Sequence, residues 1–257
     1  AGAMFIPALL LCIWLLEHLP PPGEQDRAAR TARQSMSGAD RKELFLRYAP
    51  GLCLLILVYL LLTIIRDFRD NFAVELWTEL GYGGQSGIFT TAELPVAVFC
   101  LVMVGAMFLV KNNFKAFWLN HLFTLCGAIL LIGCTFLFEQ NLLSPLWWMV
   151  ISGFGLFLPY ILFNGVLFDR FMAAFREKGN VGFLMYVADS IGYLGSVLIM
   201  LWRNFWGGSL SWVSFYSSLC YGGGMLIMVL TAFSYWYFSQ KSHHSTLVFQ
   251  NRQASNI

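Results

Sequence analysis

Seven long apolar stretches, separated by short polar segments, dominate the pattern of this sequence. They cover residues 1–19, 50–70, 87–110, 116–138, 145–168, 181–202 and 211–238. Each approaches the roughly 20 residues that a helix needs to cross about 30 Å of hydrocarbon. They are continuous apolar runs, unlike the alternating segments of about 10 residues that build a membrane barrel. The pattern therefore predicts an all-α polytopic membrane helix bundle of about seven transmembrane helices.

The basic residues indicate how the chain is threaded through the membrane. Of the sixteen Lys and Arg residues, all but Arg66, Arg69 and Arg203 fall in alternate connections between the stretches or in the carboxyl-terminal tail. Seven crossings place these connections and the tail on one side. Because Lys and Arg are enriched in cytoplasmic loops, we predict that this side, including residues 239–257, is cytoplasmic.

The composition agrees with a membrane protein. Hydrophobic residues make up 58% of the chain and charged residues only 12%, whereas charged residues make up about 25% of a typical soluble domain. The net charge of +2 is small and points to no acidic partner. We therefore predict a lipid bilayer as the surroundings and no nucleic acid as a partner.

No motif for a metal, a cofactor or a disulfide stands out. The six cysteines lie singly inside apolar stretches, without a CxxC pair, and we interpret them as small buried hydrophobic residues. The glycine-rich segment 81–87 is not followed by the lysine of a phosphate-binding loop. We predict no metal site and no cofactor.

The polar segments divide the chain into four parts. These are a first transmembrane helix at 1–19, a cytoplasmic linker at 20–47, a six-helix transmembrane bundle at 48–238 and a cytoplasmic tail at 239–257. The linker has three consecutive prolines and many charges, which favours a solvated connector, with a gate or a lipid-headgroup contact as alternatives. Because residue 1 already lies within an apolar stretch that does not resemble a signal peptide, we expect a carboxyl-terminal piece of a longer protein.

This layout resembles the second half of a major facilitator superfamily transporter, from its sixth helix onward. In detail, RDFRDNFAVELW at 66–77 and DRFMAAFREKGNVGFLMYVADSIGYLGS at 169–196 are similar to an uncharacterised bacterial group of such proteins. The usual Gly-x-x-x-Asp-Arg-x-Gly-Arg-Arg loop would lie between the third and fourth stretches. The chain has VKNNFK there, at 110–115, which keeps two basic residues but lacks the Gly and Asp of that loop.

The resemblance implies a fold, a partner and a location. Such transporters have twelve helices in two halves and bind a small solute between the halves, exposing it to each side in turn. The expected partners are then the bilayer, a small-molecule solute and the missing amino-terminal half of the same protein. The implied location is the inner, cytoplasmic membrane of a bacterium.

Asp189 is the strongest single candidate for function. It lies eight positions after Val181, or about 12 Å along a helix, close to the membrane centre. A carboxylate there persists only if it is paired, hydrated or useful. Tyr186 and Tyr193 share its helical face at i−3 and i+4. Since a carboxyl group can lose its charge by taking a proton, this position suits a proton carrier.

Three further charges lie in the outer part of the bundle. Arg66 and Glu93 fall at similar depths on different helices, and Asp70 lies one turn from Arg66. We predict that Arg66 pairs with Glu93 or Asp70, because opposite charges in lipid are best kept together. The alternative is a charged helix end that reaches the outer headgroups.

His121 and Asn164 are weaker candidates in the cytoplasmic half, with Asn164 expected near the inner interface. A lone histidine in a membrane helix is more often a packing residue than a ligand. An intramembrane enzyme of acyltransferase type could combine His121 with Asn120 or Asn164 and would need Asp189 as a second acid–base group. We expect no enzyme and assign no catalytic residue.

The predicted function is secondary active or facilitative transport of a small solute by alternating access, with proton coupling as a further hypothesis. Its site residues are Asp189, Glu93, Arg66, Asp70, Tyr186, Tyr193, His121 and Asn164. An acyltransferase-type enzyme and a non-transporting membrane partner or sensor remain as alternatives. The sensor predicts that the buried charges merely pair with one another.

The threading makes a topological prediction. On a background without native cysteines, Ser37→Cys is protected from an impermeant thiol reagent in intact cells, because position 37 is cytoplasmic. Gln85→Cys, Asn141→Cys and Gly208→Cys are labelled from outside. Labelling of Ser37→Cys from outside would overturn the threading.

Overall fold

The computed structural model describes residues 3, 6–18, 36–177, 179–206 and 210–254. The chain divides into two compact units, Ala1–Gln34 and Ser35–Ile257. The described residues are almost entirely helical and include no β-strand. This agrees with the predicted all-α class.

The first unit contains helix α1, Ile6–Glu17. Its 12 residues span about 18 Å, less than the roughly 30 Å of a hydrocarbon layer. The predicted first crossing, residues 1–19, is therefore helical where it is described, but the described helix is too short to cross. Part of this stretch and most of the linker, residues 19–35, lie outside the described residues.

The second unit contains nine α-helices and two π-helical turns in its described part. The α-helices are α2 Gly38–Arg47, α3 Ala49–Asn71, α4 Ala73–Trp77, α5 Gly87–Met107, α6 Asn113–Glu139, α7 Pro145–Leu162, α8 Phe168–Ala174, α9 Val181–Phe205 and α10 Trp212–Ala254. The π-helical turns cover Thr78–Tyr82, after α4, and Phe163–Leu167, which joins α7 to α8.

Six helical segments in the described residues are long and apolar enough to cross a membrane. They are Ala49–Asn71, Gly87–Met107, Asn113–Glu139, Pro145–Ala174, Val181–Phe205 and Trp212–Ser242. They match the second to seventh predicted stretches. The fifth stretch continues six residues beyond its predicted end, because α7, the π-helical turn and α8 form one segment. The predicted polytopic membrane bundle is confirmed.

Four helices form the centre of the bundle and two lie beside it. Helices α3, α7, α6 and α10 form a ring in which each contacts the next, α5 packs against α7, and α9 packs against α3. Two thirds of the most apolar part of the α7 segment is buried, but only 22% of the corresponding parts of α5 and α9. Helices α9, α3, α7 and α5 thus form a row, and this row carries the candidate site.

Helices α6 and α7 approach each other through two glycines. A Cβ atom added to Gly127 would lie 2.2 Å from the carbonyl oxygen of Gly155, and one added to Gly155 would lie 2.6 Å from the carbonyl of Gly127. Pro159 lacks the N–H that would otherwise bond the Gly155 carbonyl within the helix. Small residues at both positions therefore allow the two backbones to meet.

Helix α2 docks at the end of the bundle that carries most of the basic residues, called the basic end below. Arg47 pairs with Glu177 at 3.0 Å, and the Tyr48 hydroxyl donates to the same carboxylate at 2.7 Å. Burial and this hydrogen bond raise the pKa of Tyr48. The described part of the predicted solvated linker is therefore largely a helix, α2, in which Leu44 is buried and most other side chains are exposed.

The start of α2 is fixed by its own cap. The Asp40 N–H donates to the Ser37 hydroxyl, and the Asp40 carboxylate accepts from the Ser37 N–H at 2.9 Å. This capping box satisfies two donors that have no partner within a helix. The hydrogen bonds from the Ser37 hydroxyl and N–H hold the pKa of Asp40 below its usual value.

The opposite end of the bundle is closed by polar contacts to the start of α10. Glu79 accepts hydrogen bonds from the N–H groups of Trp212 and Val213, at 2.7 and 3.3 Å. A carboxylate at a helix N-terminus is favoured by the helix dipole. Arg203 belongs to the last turn of α9 and is buried, with its guanidinium 3.9 Å from the centre of the Trp212 ring.

The cysteines are less uniform than predicted. None forms a disulfide, and Cys100, Cys134 and Cys220 are buried, but Cys12, Cys53 and Cys126 are exposed. The prediction of six buried cysteines is therefore wrong for half of them. Helix periodicity alone does not show which faces of a span are covered by other helices.

The α6–α7 contact makes a stability prediction. Gly127→Ala lowers the free energy of unfolding in detergent by about 1–3 kcal/mol, because the added methyl group forces two backbones apart. Gly133→Ala is the matched control on the same helix, since nothing lies within 4 Å of its added Cβ. An equal effect of both changes on the melting temperature would contradict the close contact.

Candidate functional site

A connected set of polar side chains runs through the row of helices α9, α3, α7 and α5. We call it the polar column. Its members are Tyr59, Arg66, Asp67, Arg69 and Asp70 on α3, Glu93 on α5, Tyr160 on α7, Asn164 in the following π-helical turn, and Asp189 and Ser196 on α9. Charged and polar side chains are costly inside membrane helices, so a cluster of them is a candidate functional site.

The inner part of the column is centred on Tyr59, which is buried. Its hydroxyl donates to Asp189 Oδ1 at 2.6 Å and accepts from Asn164 Nδ2 at 2.9 Å. Three helical segments thus meet at one phenolic oxygen. Asp189 forms no ion pair with a described residue, and its Oδ2 accepts no hydrogen bond from one. The structure therefore brings together Asp189 and Asn164, two of the predicted site residues.

Asn164 lies deeper than its predicted place near the interface. It occurs in the π-helical turn Phe163–Leu167, and α8 continues the same segment for another seven residues, to Ala174. The segment therefore places Asn164 about 15 Å from its end, at the level of Asp189. The prediction put the end of the span too early.

The middle of the column is built around Arg66. Its guanidinium lies 4.0 Å from the centre of the Tyr160 ring and pairs with Asp67 on its own helix. The other oxygen of Asp67 accepts a hydrogen bond from Ser196 at 2.6 Å. Tyr160 stacks on Tyr59 with ring centres 5.3 Å apart. This stacking connects the arginine to the Asp189 cluster.

The outer part of the column is an ion pair between Arg69 and Glu93. Arg69 Nη2 lies 2.7 Å from Glu93 Oε1 and 3.2 Å from the Met149 carbonyl oxygen, while Nη1 lies 3.5 Å from Asp70. The Arg69 side chain is only 1% exposed. The absence of a side chain at Gly153 leaves room for the guanidinium, because a Cβ there would lie 3.4 Å from Nη2.

The predicted pairing of Arg66 with Glu93 is therefore wrong. Arg69 pairs with Glu93, and Arg66 pairs with Asp67. Three positions on a helix differ by about 60° around its axis, so the choice between the two arginines depends on where α5 lies around α3. The sequence pattern carries no information about that angle.

Two members of the column, and two predicted site residues that lie outside it, are exposed. The side chains of Glu93 and Asp70 are 44% and 45% exposed, and Tyr186 and Tyr193 are 75% and 49% exposed. A groove of about 370 Å³ runs along α5 and α7 past Glu93 and Phe157. Charged groups in membrane helices normally face a bundle interior or a water-filled cavity.

His121 and its neighbour Asn120 lie elsewhere, between α6 and α10. His121 Nδ1 donates to the Phe117 carbonyl at 3.0 Å, so the neutral Nε2 accepts from the Ser234 hydroxyl at 3.1 Å. Both side chains are buried. His121 therefore has a hydrogen-bonded packing position, apart from Asp189 and Asn164. The three groups that the acyltransferase alternative needed are not brought together.

Tyr59, Tyr160, Asp67 and Arg69 are members of the column that the sequence analysis did not select. One signal for Tyr59 was present, because Tyr59 and Arg66 are seven positions apart and so lie on the same face of α3. Tyr160 gives no such signal in an aromatic-rich helix. Among the described residues, no three His, Cys, Asp or Glu side chains lie close enough to hold a metal ion.

Comparison with known proteins identifies a family but not an activity. Residues 1–241 match the family described as "Family of unknown function (DUF5690)", so the chain belongs to this family. No curated protein and no solved structure matches the chain.

The Arg69–Glu93 pair is testable by a double-mutant cycle. Glu93→Gln alone lowers the free energy of unfolding by about 3–5 kcal/mol, because it leaves the buried Arg69 guanidinium without its closest carboxylate. Arg69→Gln alone has a smaller effect, because the Glu93 side chain that it leaves unpaired is 44% exposed. The double variant recovers a large part of the loss caused by Glu93→Gln. Unfolding in detergent, followed by tryptophan fluorescence, measures it.

Two controls accompany the cycle. Glu75→Gln changes an exposed glutamate on α4 and has little effect on stability. A second cycle, with Arg66→Gln and Glu93→Gln, gives additive losses, because those residues do not touch. Coupling of Glu93 to Arg66 and not to Arg69 would contradict the pairing.

Proposed function

We propose that this protein transports a small solute across a membrane by alternating access, with the polar column as part of the solute pathway. The observation that carries the proposal is the position of Asp189. It is a carboxylate about 12 Å inside its helix, bound to a buried tyrosine and not to a cation. A carboxylate without a counter-charge at this depth raises the free energy of the folded protein, and such residues normally have a functional role.

The arrangement of the helices supports the same proposal. The polar groups lie on one side of the row α9, α3, α7 and α5, and several are half exposed. Their open side fits a water-filled pathway that a second set of helices completes. We propose that this is the amino-terminal half of a major facilitator superfamily transporter, to which the chain contributes the second half.

We further propose that Asp189 carries a proton. It can change its charge within the bundle, and Tyr59 and Asn164 hold it in place by a chain of two hydrogen bonds. Glu93 is the next candidate, but it is already paired with Arg69. The proposed setting is the inner membrane of a bacterium, with the basic end and the carboxyl terminus in the cytoplasm.

The other classes of function have less support. An acyltransferase-type enzyme would need His121 beside an acid–base partner, and His121 instead meets Phe117 and Ser234 in a buried contact. A sensor or structural partner accounts for the pairing of Arg66 and Arg69 with carboxylates. It gives no role to Asp189, which has no such pair among the described residues. We therefore propose that the protein is not an enzyme.

The test uses the full-length protein in liposomes with an imposed pH gradient. Addition of amines, amino acids, sugars or organic acids, one at a time, changes the lumenal pH when the solute is transported, and an encapsulated pH-sensitive dye records the change. Asp189→Asn abolishes this solute-driven pH change, because an amide cannot carry the proton but keeps the shape and some hydrogen bonds.

Asp169→Asn is the matched control, since it makes the same change at an exposed position on α8. It leaves the solute-driven pH change unaltered. A normal solute-driven pH change in Asp189→Asn would remove Asp189 from the mechanism. Absence of a pH change with every solute class would contradict proton-coupled transport of these classes.

A further inference from the structure

We propose that the solute is an organic cation whose positive group binds the carboxylate of Asp189 between the rings of Tyr186 and Tyr193. The inference rests on the transport function proposed above, and it specifies the charge class of the solute. Two observations support it. The arginines of the polar column already have carboxylate partners, and the rings of Tyr186 and Tyr193 are exposed.

Both arginines of the column are already engaged. Arg66 pairs with Asp67 and lies over the Tyr160 ring, and Arg69 pairs with Glu93. Neither guanidinium is therefore available to an anionic solute without breaking an ion pair. An anion would also meet the unpaired charge of Asp189, which disfavours its approach.

Asp189, in contrast, forms no ion pair with a described residue. Its Oδ1 accepts one hydrogen bond, from the neutral Tyr59 hydroxyl, and Oδ2 accepts none from a described residue. The side chain is partly exposed. The carboxylate thus keeps one oxygen without a hydrogen-bond donor among the described residues, and the group that best neutralises the carboxylate is a cation.

The tyrosines beside Asp189 supply a suitable lining. Tyr186 and Tyr193 lie at i−3 and i+4 on α9, on the same side of the helix as Asp189. Both are exposed, and neither ring stacks on another described aromatic ring. The faces of aromatic rings attract ammonium groups.

Two arginines of this chain already use that attraction near the proposed site. The Arg66 guanidinium lies 4.0 Å from the Tyr160 ring centre, and Arg41 lies 5.9 Å from the ring centre of Phe183, the aromatic residue one turn before Tyr186. A groove of about 470 Å³ lies on the neighbouring face of α9, where Arg41, Phe183 and Tyr186 line it. It shares Tyr186 with the proposed site but does not reach Asp189 or Tyr193.

The same geometry links the cation to the proton. A carboxylate that has taken up a proton is neutral, so it binds a monovalent cation more weakly than the ionised carboxylate does. Binding of one therefore favours release of the other. If Asp189 carries both, the transport cycle exchanges an organic cation for a proton, and the two move in opposite directions.

The test measures binding and does not require transport. Tritiated tetraphenylphosphonium is dialysed against the full-length protein in a neutral detergent, and its binding is compared with that of tetraphenylborate. The two probes have nearly the same size and shape and opposite charge. We expect saturable binding of the cation and none of the anion.

Variants then locate the site. Asp189→Asn weakens tetraphenylphosphonium binding by tenfold or more, whereas the matched Asp169→Asn leaves it unchanged. Tyr186→Leu weakens it about threefold, as expected for one exposed ring face, and Tyr186→Phe keeps the wild-type affinity because the ring remains. Tryptophan fluorescence and gel filtration confirm that each variant is folded.

Saturable binding of the anion instead of the cation, or cation binding unaffected by Asp189→Asn, would overturn the inference. Absence of saturable binding of either probe would overturn it as well. These results are distinct from failure of the proposed function. A solute-driven pH change with a neutral or anionic solute would leave transport intact and exclude the cation, whereas Asp189-dependent cation binding without a pH change for any solute would do the reverse.

Discussion

The position of Arg69 constrains the rest of this bundle. A guanidinium inside a hydrocarbon layer costs about 2.5–3.5 kcal/mol on insertion scales and persists only with partners. Arg69 finds them on two other helices, in Glu93 of α5 and the Met149 carbonyl of α7, and Gly153 leaves the space that it occupies. The row of helices can therefore have only a narrow range of separations and rotations around this side chain.

Helix α3 connects the stable part of the bundle to the polar column. It belongs to the ring with α7, α6 and α10 and contributes side chains to every level of the column. The two carboxylates with the greatest functional interest, Glu93 and Asp189, come from α5 and α9, which lie beside the ring and are the least buried spans. The peripheral helices α5 and α9 therefore have fewer packing contacts than the ring, and the greater freedom to shift when a ligand changes the charge balance.

The apolar runs of the sequence were sufficient to predict six of the observed spans, since length and hydropathy determine whether a helix can cross lipid. They also identified Asp189, because a carboxylate in mid-span is anomalous wherever it points. The partners of the charges could not be predicted. The choice of Arg69 over Arg66 depends on the rotation of α5 around α3. The bond from Asn164 to Tyr59 depends on the π-helical turn that extends its segment. The burial of His121 against Ser234 joins helices more than one hundred positions apart.

The short separation between Arg69 and Glu93 has a consequence for biogenesis. The two residues are 24 positions apart, on α3 and α5, which are consecutive membrane-spanning helices. Both charges are present as soon as these two spans have been synthesised, so they can pair before α7, which packs against both helices in the finished bundle, is inserted. The two spans can then enter the membrane with these charges already compensated. Asp189 and Tyr59, 130 positions apart, meet only when nearly the whole bundle has been inserted.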